Sequence, residues 1–582
     1  MNSYLSRKPK YRMLSAMLAS VVAISASNIN AAQQCPDNNN GRKRALWGDL
    51  HVHTAYSLDA YGMGTRHDPN DAYRFAKGSP LTLADGKTTV KLDRPLDFAA
   101  VTDHSEGYGI MNICTEPGWK MTFWCLVYRM LSTEVFRNNG IAFLHGASET
   151  PPRTQFYCIE RPKECHAAMK REWAAIQEAA KVANEPCKFT SLIGYEWTGV
   201  PNALHVHRNV IFANDNVPDE PYDFIRYNRA VDLWEALEKG CKGDCRALTI
   251  PHNMNLSNGE FYADLEGEEK RVAMLREKYD RVAEIFQSKG SSECLNINGD
   301  DRDPACDYEI IRVGGFKELP SDEQMQKGYA RYALGEGLEL QANNGYNPLQ
   351  FGFIGSTDTH NATPGLVDEY ATNGHYGNFD LDDDRRLQYT KLGVHFDMAW
   401  MNPGGLAAVW AEENTRESIF AALNRRETFA TSGPRITVKF NEVSGIEKPC
   451  EAEELGGVPM GSTTFAKAPE FVVKAVADKL PLTHVQIVKG TFVNGKTQIS
   501  IHEIKASNPN GDMNLCLKWA DKDYDSTKPA YWYARVFEVP TKRWSKAVCE
   551  QEGKCDKHPE LNIDQMERAW SSPIWNHTTG AK

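Results

Sequence analysis

Six short apolar segments of the chain end in or beside histidine and acidic residues, and this arrangement constrains the fold more than any other feature. Each segment has the length and composition of a buried β-strand. Sequence patterns typical of helices lie between some of these strands and after the last strand. Short strands that alternate with helices predict an α/β fold with a mainly parallel sheet, open or closed as a barrel. The predicted strands are 45–53, 96–102, 189–196, 204–212, 247–252 and 351–358, and the predicted helices are 167–182, 231–239, 272–286 and 415–426.

The polar residues at these positions all lie at or just beyond the carboxyl end of a predicted strand. Parallel barrels place their reactive groups on that face, because the loops there vary while the barrel stays packed. Residues that are distant in sequence would therefore converge in space. They are His51, His53, His104, Glu196, His205, His207, His252, Asp358 and His360, with Asp59 following the first strand.

These residue types favour metal binding when they occur together. In His51-Val-His53 the two imidazoles lie on one face of a strand, and neutral imidazoles are good ligands for zinc and similar ions. A single His-x-His pair is weak evidence, and so is Thr102-Asp-His104 alone. However, burying this many polar side chains is costly unless they are paired or bound to metal. The set therefore predicts a polynuclear metal site.

The pattern of apolar and polar residues changes after Thr431-Ser-Gly-Pro434, a segment that interrupts regular secondary structure. From Arg435 onwards, segments that alternate apolar and polar residues predict a small antiparallel β domain. We place the boundary near Gly433, with a first domain at 45–433 and a second at 435–582.

The first 32 residues resemble a secretory signal peptide. A basic stretch that includes Arg7 and Arg12 precedes an apolar run at 13–24 and then small residues up to Ala32. The alternative is a membrane anchor, but the run is shorter than the roughly 20 residues that a spanning helix needs. We expect the mature protein to be secreted or periplasmic, with no membrane span.

Charge and cysteine content agree with export. Removal of residues 1–32 takes away four positive charges and no negative ones, so the net charge falls from −11 to −15. An acidic protein is a poor nonspecific nucleic-acid binder, so we expect no such partner. The 14 cysteines suggest disulfides whose connectivity the sequence leaves open; a zinc site at Cys241 and Cys245 is the weaker alternative. Ten of them occur in close pairs: Cys114/Cys125, Cys158/Cys165, Cys241/Cys245, Cys294/Cys306 and Cys549/Cys555.

The order of the motifs resembles the PHP (polymerase and histidinol phosphatase) superfamily over roughly 45–433. The sequence is most similar to an exported group of that superfamily, domain-of-unknown-function family 3604. The resemblance implies a distorted (β/α)7 barrel with its active site at the strand ends, followed by the antiparallel β domain. The segments that carry the resemblance are 48–59, 194–197, 207–212, 426–434, 529–536 and 540–544.

The resemblance also implies two or three divalent ions, either zinc, manganese or iron. The first ion would be held by His51, His53, Glu196 and Asp358. Glu196 would bridge to a second ion, completed by His252 and by His207 or His205, of which the motif favours His207. A third would take Asp59, His104 and His360, with Asp59 standing where some members have a histidine.

These features predict a metal-dependent hydrolase, most simply a phosphoesterase that uses a metal-bridged hydroxide on a small-molecule or polymer ester. Glu196, Asp358 and His252 would be its catalytic residues, and Arg153 and Arg208 are candidates for binding substrate oxygens. Two alternatives remain: hydrolysis of another ester or amide, such as a sulfate ester or lactone, and a non-catalytic metal-containing binding protein. The oligomeric state is not predicted.

Overall fold

The computed structural model describes a large part of the chain. The predicted signal peptide, residues 1–32, lies outside the described residues and stays a prediction. No helix within the described part is long and apolar enough to cross a membrane. The described residues are 35, 41–115, 123–130, 151–154, 156–265, 270–297, 302–311, 321–370, 374–381, 386–387, 391–392, 396–452, 454–506, 508–557 and 559–576.

The described residues form a mixed α/β structure. The strands of the first three quarters are β1 (Arg44–Asp49), β2 (Leu81–Thr82), β3 (Thr89–Val90), β4 (Phe98–Val101), β5 (Thr190–Trp197), β6 (Arg208–Phe212), β7 (Ala247–Pro251), β8 (Val282–Gln287), β9 (Gly290–Ser291), β10 (Gly352–Gly355), β11 (Lys391–Leu392), β12 (Phe396–Asp397), β13 (Leu406–Ala411) and β14 (Thr428–Thr431). The remaining strands are β15 (Thr437–Glu442), β16 (Val458–Pro459), β17 (Thr463–Thr464), β18 (Glu470–Val476), β19 (Leu482–Val493), β20 (Lys496–Lys505), β21 (Asn514–Ala520), β22 (Ala530–Glu538), β23 (Thr541–Lys542), β24 (Asp564–Gln565), β25 (Arg568–Ser571) and β26 (Ile574–Asn576).

Most helices lie between the strands of the first part. They are α1 (Leu58–Gly62), α2 (Pro69–Ala76), α3 (Tyr108–Thr115), α4 (Phe123–Met130), α5 (Phe156–Glu160), α6 (Pro162–Ala183), α7 (Ala230–Gly240), α8 (Lys270–Tyr279), α9 (Asp322–Gln326), α10 (Ala330–Asn344), α11 (Arg416–Arg425) and α12 (Trp544–Gln551). The predicted helices at 167–182, 231–239 and 415–426 correspond to α6, α7 and α11.

The central sheet is mixed rather than mainly parallel. β1, β4 and β5 pair in parallel, whereas β6 is antiparallel to both β5 and β7, and β13 is antiparallel to β1. The prediction of a mainly parallel sheet is therefore wrong here. For β5 and β6 the reason is the short connection between them, since a parallel pair needs a crossover of a dozen or more residues.

The hydrogen-bonded strands of the described residues do not close into a ring. The path runs β17-β26-β22-β25-β14-β13-β1-β4-β5-β6-β7, with β19 and β20 attached at β22, and β10-β8-β9 form a separate sheet. Isolated bridges connect that small sheet to the central one, at Val52–Thr359 and Thr249–Asp280. The α/β class is confirmed, but a closed (β/α)7 barrel is not what the strand pairing shows.

One predicted helix is partly wrong. The segment 272–286 was predicted to be helical throughout, but α8 ends at Tyr279 and Val282–Gln287 is the fully buried strand β8. Its residues Val-Ala-Glu-Ile-Phe-Gln are rich in β-branched and aromatic types, which fit a pleated, buried surface. Glu284, the single acidic residue of β8, gives this strand the mixed polarity expected of a helix surface.

The carboxyl-terminal part contains the predicted antiparallel sheet, built from β16, β15, β18 and β21. However, β14 also pairs with β25, where Thr431 lies opposite Ala569, so the central sheet continues across the predicted boundary at Gly433. The domain ranges 45–433 and 435–582 stay predictions.

All 14 cysteines are paired in seven disulfides. The five close sequence pairs are bonded as pairs, including Cys241–Cys245, which is therefore not a zinc site. Two further bonds close longer loops, between Cys35 and Cys187 and between Cys450 and Cys516. Disulfides restrict the unfolded chain and so stabilise the fold, in most cases by about 2–4 kcal/mol each.

An apolar cluster draws side chains from the strands that carry the candidate site. It includes Phe98 of β4, Leu192 of β5, Ile250 of β7 and Ile354 of β10, each fully buried. Close packing of this cluster fixes the relative positions of strands that are far apart in sequence. The polar residues that follow these strands are held by the same packing.

Candidate metal centre

The metal-type residues of the sequence converge at one edge of the central sheet. His51 and His53 follow β1, His104 follows β4, and Glu196 lies near the end of β5. His252 follows β7 at the same edge. Because the sheet alternates direction from β5 to β7, ends and beginnings of neighbouring strands meet there.

His205 and His207 reach this edge in an unexpected way. They were predicted to lie at the carboxyl end of a strand at 204–212, but β6 begins only at Arg208, so both precede it. β6 is antiparallel to β5, and its beginning therefore lies beside the end of β5. The two rings stack with centroids 4.6 Å apart. Of the two, His207 lies with Nδ1 2.9 Å from Glu196 Oε1.

Glu196 is the centre of the cluster. Its Oε2 lies 3.3 Å from Nε2 of both His51 and His53 and 3.4 Å from Nδ1 of His104. On the other side, its Oε1 contacts His207 and lies 3.4 Å from Nε2 of His252. One buried carboxylate thus stands between two groups of histidines.

Asp358 completes the first of these groups. Its Oδ1 lies 3.2 Å from Nε2 of both His51 and His53. The residue has a φ of +54°, in the left-handed region, and its amide donates to the carbonyl of His51 at 3.0 Å. Such strain costs about 1–3 kcal/mol and is typical of functional positions.

Asp59 joins a third group. Its Oδ2 lies 3.1 Å from Nε2 of His104 and 2.9 Å from Nε2 of His360. The side chains of Asp59 and His104 are 17% and 14% exposed, whereas the other side chains that contact Glu196 or Asp59 are almost fully buried. The open side of the cluster therefore lies at Asp59 and His104.

The donor atoms fit divalent metal ions. Three groups each have ligand atoms within 4.8 Å of one another: His51, His53 and Asp358; His51, Glu196 and His252; and His53, His104 and His360. Within the described residues several of these buried atoms have no hydrogen-bond partner, which costs free energy that a bound cation would recover. They are His53 Nε2, Glu196 Oε1, His207 Nε2, His252 Nε2 and Asp358 Oδ1.

Burial also keeps part of the set in the form that binds metal. It lowers the pKa of His207 to about 4, and it lowers the pKa of His252 as well. Both imidazoles are therefore neutral at neutral pH, as metal ligation requires.

Hydrogen-bonding residues at the Nδ1 atoms of His51 and His53 fix the orientation of these two imidazoles. Glu284 Oε2 lies 3.0 Å from Nδ1 of His51, and Ser57 Oγ lies 2.9 Å from Nδ1 of His53. Ser57 in turn donates to Asp103 at 2.6 Å. A hydrogen bond at one ring nitrogen fixes the tautomer and aims the other nitrogen at the metal. The sequence does not single out Glu284, because its strand has the mixed polarity expected of a helix.

The family of the chain follows from a comparison with known proteins. Residues 40–510 and 498–578 match the model of a family described as "Protein of unknown function (DUF3604)". The chain belongs to this family. The resemblance noted in the sequence is thus confirmed at the level of the family, whose description assigns no activity.

Two further proteins are similar to this DUF3604 chain. An uncharacterized protein of Chlamydia pneumoniae is 24% identical over 272 residues, which are 47% of this chain and 33% of that protein. The chain thus matches only about a third of the length of that relative. A crystal structure of a two-domain protein from Bacteroides vulgatus, described as containing a predicted PHP-like metal-dependent phosphoesterase, matches with a TM-score of 0.31 and 13% identity, over 86% of this chain and 92% of that one.

The DUF3604 site contains one cation that the sequence gave no reason to select. Lys289 follows β8, and its Nζ contacts Asp358 Oδ2, the same oxygen that accepts a hydrogen bond from Gln287 Nε2 at 2.7 Å. Burial disfavours the charged ammonium, but the Asp358 carboxylate outweighs it and raises the pKa of Lys289 above its usual value. The amine is therefore a permanent positive charge beside the first group.

The two arginines predicted to bind substrate are placed differently. Arg208 alternates with His207 along the chain and points away from Glu196, and its Nη2 lies 3.2 Å from Oδ2 of Asp280. The guanidinium also lies over the ring of Phe261. This environment favours a structural role for Arg208. Arg153 is exposed, in contrast to the residues around Glu196.

Proposed function

We propose that this DUF3604 protein is an exported metal-dependent hydrolase and that it cleaves phosphate esters. The observation that carries the proposal is the position of Glu196, a buried carboxylate between two groups of histidines. Among the described residues, Nε2 of His53, His207 and His252 has no hydrogen-bond partner. A bridging carboxylate with this surrounding is what a site for two divalent ions requires.

The two oxygens of Glu196 face different groups of ligand residues. His51, His53 and Asp358 with Glu196 Oε2 would hold one ion, and Glu196 Oε1 with His207 and His252 would hold the second. A third would be held by Asp59, His104 and His360. Such ions act as Lewis acids, lower the pKa of water, and neutralise charge on substrate oxygens.

The protein itself would orient the metal ligands and leave an open side for the substrate. Glu284 and Ser57 hold the rings of His51 and His53, and Thr198 Oγ1 holds Nδ1 of His104 at 2.6 Å. These contacts limit the freedom of the ligands before any substrate binds. The substrate would enter at Asp59 and His104, where the cluster is exposed.

Phosphate esters are the preferred substrate class because several clustered cations suit an in-line displacement that spreads charge over the phosphoryl oxygens. The motif order His-x-His, Thr-Asp-His, His and Asp-x-His, which resembles the PHP superfamily, supports the same class. Sulfate esters and lactones are the competing substrates.

Export is proposed on two grounds. The first 32 residues have the composition of a signal peptide. In addition, all the cysteines form disulfides, which persist in secreted and periplasmic proteins and are rare in the cytosol.

The test uses the mature protein expressed in an oxidising compartment. Bound metals are measured by mass spectrometry, and hydrolysis of 4-nitrophenyl phosphate, bis(4-nitrophenyl) phosphate and 4-nitrophenyl sulfate is followed with and without a chelator. We expect stoichiometric metal and phosphoesterase activity that the chelator abolishes. His51→Ala should lose both, whereas His484→Ala, remote from the cluster and stacked on Phe537, should lose neither. Bound metal without any esterase activity would refute the proposal.

A further inference from the structure

The environment of Lys289 differs from that of an ordinary buried ion pair. The residue lies between β8 and β9, and its side chain is 11% exposed. Its Nζ contacts one oxygen, Asp358 Oδ2, and lies 5.5 Å from the centroid of the Tyr376 ring. Its positive charge also acts on Glu196 and His360. Lys289 thus lies beside the ligand groups without belonging to them.

The hydrogen-bonding capacity of the ammonium is largely unused. A lysine ammonium has three N–H donors, and within the described residues only Asp358 Oδ2 accepts from Lys289. Because that oxygen also accepts from Gln287, and Asp358 Oδ1 faces His51 and His53, Asp358 has no further capacity to offer. Two of the three N–H donors are therefore left for an acceptor outside the described residues, and a nearly buried charge gains most from an anionic one.

A second buried lysine shows what a purely structural pair looks like in this molecule. Lys489 Nζ lies 2.9 Å from Oδ1 and 2.7 Å from Oδ2 of Asp521, so both carboxylate oxygens accept from it. By contrast, among the described residues the Nζ of Lys289 contacts only one carboxylate oxygen, Asp358 Oδ2. If its task were only to hold Asp358 in place, the neutral Gln287 would already do so without burying a charge.

We propose that Lys289 binds a nonbridging oxygen of an anionic phosphoryl group placed beside Asp358. An ammonium is a compact point charge that suits phosphate oxygens. The identity of the ligand as a phosphate rests on the proposed function. The consequence is a preference of the site for anionic phosphate esters over neutral carboxylate esters and lactones.

The test compares Lys289→Met with Lys489→Met, which removes a buried lysine from an aspartate pair elsewhere. Both variants of the metal-loaded protein are analysed for metal content, for binding of inorganic phosphate by calorimetry, and for hydrolysis of 4-nitrophenyl phosphate and 4-nitrophenyl acetate. For Lys289→Met we expect normal metal content, phosphate binding weakened at least about tenfold, and kcat/KM for the phosphate ester reduced by roughly 10²–10³-fold, as for loss of an oxyanion-binding group. Acetate hydrolysis by Lys289→Met should stay as in the parent. The metal content, phosphate binding and ester hydrolysis of folded Lys489→Met should also stay as in the parent.

The binding measurement separates this proposal from the proposed function. A parent that binds phosphate through Lys289 but cleaves no phosphate ester would refute the function and support the role of Lys289. Unchanged phosphate binding in Lys289→Met, absence of phosphate binding by the parent, or loss of metal in step with activity would overturn the role of Lys289. If Lys289→Met folds poorly, Lys289→Gln keeps a polar group there and is held to the same outcomes.

Discussion

At the scale of single residues, the candidate centre depends on pairs of side chains, in which one would bind metal and the other fixes the orientation of the first. His51 shows this clearly: Nε2 faces Glu196 and Asp358, while Nδ1 faces Glu284. The sequence could predict the first set, because His-x-His and Asp-x-His are recognisable spacings. It could not predict Glu284 or Lys289, because neither belongs to a motif and both depend on a strand that looked helical.

Glu284 gives a prediction about metal affinity. Glu284→Gln removes the negative charge behind His51 while it keeps the shape of the side chain. We expect metal affinity to fall about 10–100-fold, because such orienting partners raise ligand basicity and fix the tautomer. Competition with a chromophoric chelator measures this. Glu442→Gln, a buried carboxylate in β15, is the control. Equal affinities in the two variants would show that Glu284 does not support the ligand.

Glu538 gives a prediction about pH. Burial, followed by repulsion from Glu567 and Asp478, raises the pKa of Glu538 from 4.5 to about 8. Between these values the folded state holds a proton that the unfolded state has released, so stability from this group is complete below pH 4.5 and falls as the pH rises towards 8. Glu538→Gln cannot lose that proton. Its free energy of unfolding should therefore exceed that of the parent by more at pH 8 than at pH 5.

Urea unfolding at both pH values measures this difference. An identical change with pH in the Glu538→Gln variant and the parent would contradict the protonation of Glu538 in the folded state.

At the scale of elements, sequence patterns predicted the strands next to the candidate ligand residues but not the directions of those strands. The segments around His51, Glu196 and Asp358 are buried strands, as their apolar runs indicate. The direction of β6 is set by the length of the connection that precedes it, and the separation of β8 from the main sheet is set by tertiary packing. The pairing of strands across a sheet also depends on contacts between distant segments, and for this reason a closed parallel barrel was expected where a mixed, open arrangement is found.

Gly48 tests how far strand position controls the site. It lies in β1 opposite Phe98 of β4, and a Cβ at this position would lie 2.3 Å from the Phe98 ring. Gly48→Ala must therefore displace the buried Phe98 ring and disturb the packing of β1 against β4, at a cost of about 1–3 kcal/mol, typical of overpacking. Since His51 and His53 follow β1 directly, metal affinity should fall as well.

Thermal unfolding and metal titration check the Gly48→Ala variant together. Gly107→Ala is the control, because a Cβ there meets Leu58 at an ordinary 3.5 Å. Loss of stability without any change in metal affinity would show that the site tolerates movement of β1.

At the scale of the whole molecule, the pattern of the sequence indicates two parts, and the structure connects them closely. Arg535 of β22 is fully buried and contacts Glu293 at 3.2 Å and Asp303 at 2.8 Å, both from the first part of the chain. Arg331 contacts the same two carboxylates. Together with the pairing of β14 and β25, this network predicts that both parts unfold in one cooperative transition.

Arg535→Met provides the test of that cooperativity. The variant leaves two buried carboxylates with a single arginine, and removal of one partner from a buried ion pair costs about 3–5 kcal/mol. Arg94→Met also removes an ion pair between the two parts, with Asp478, but Arg94 is exposed, and we expect a loss of about 0–1 kcal/mol. Urea unfolding followed by tryptophan fluorescence and far-ultraviolet circular dichroism should show one coincident transition in each variant, shifted only for Arg535→Met. Two separate transitions, with one left at the midpoint of the parent, would instead mean that the ranges 45–433 and 435–582 fold independently.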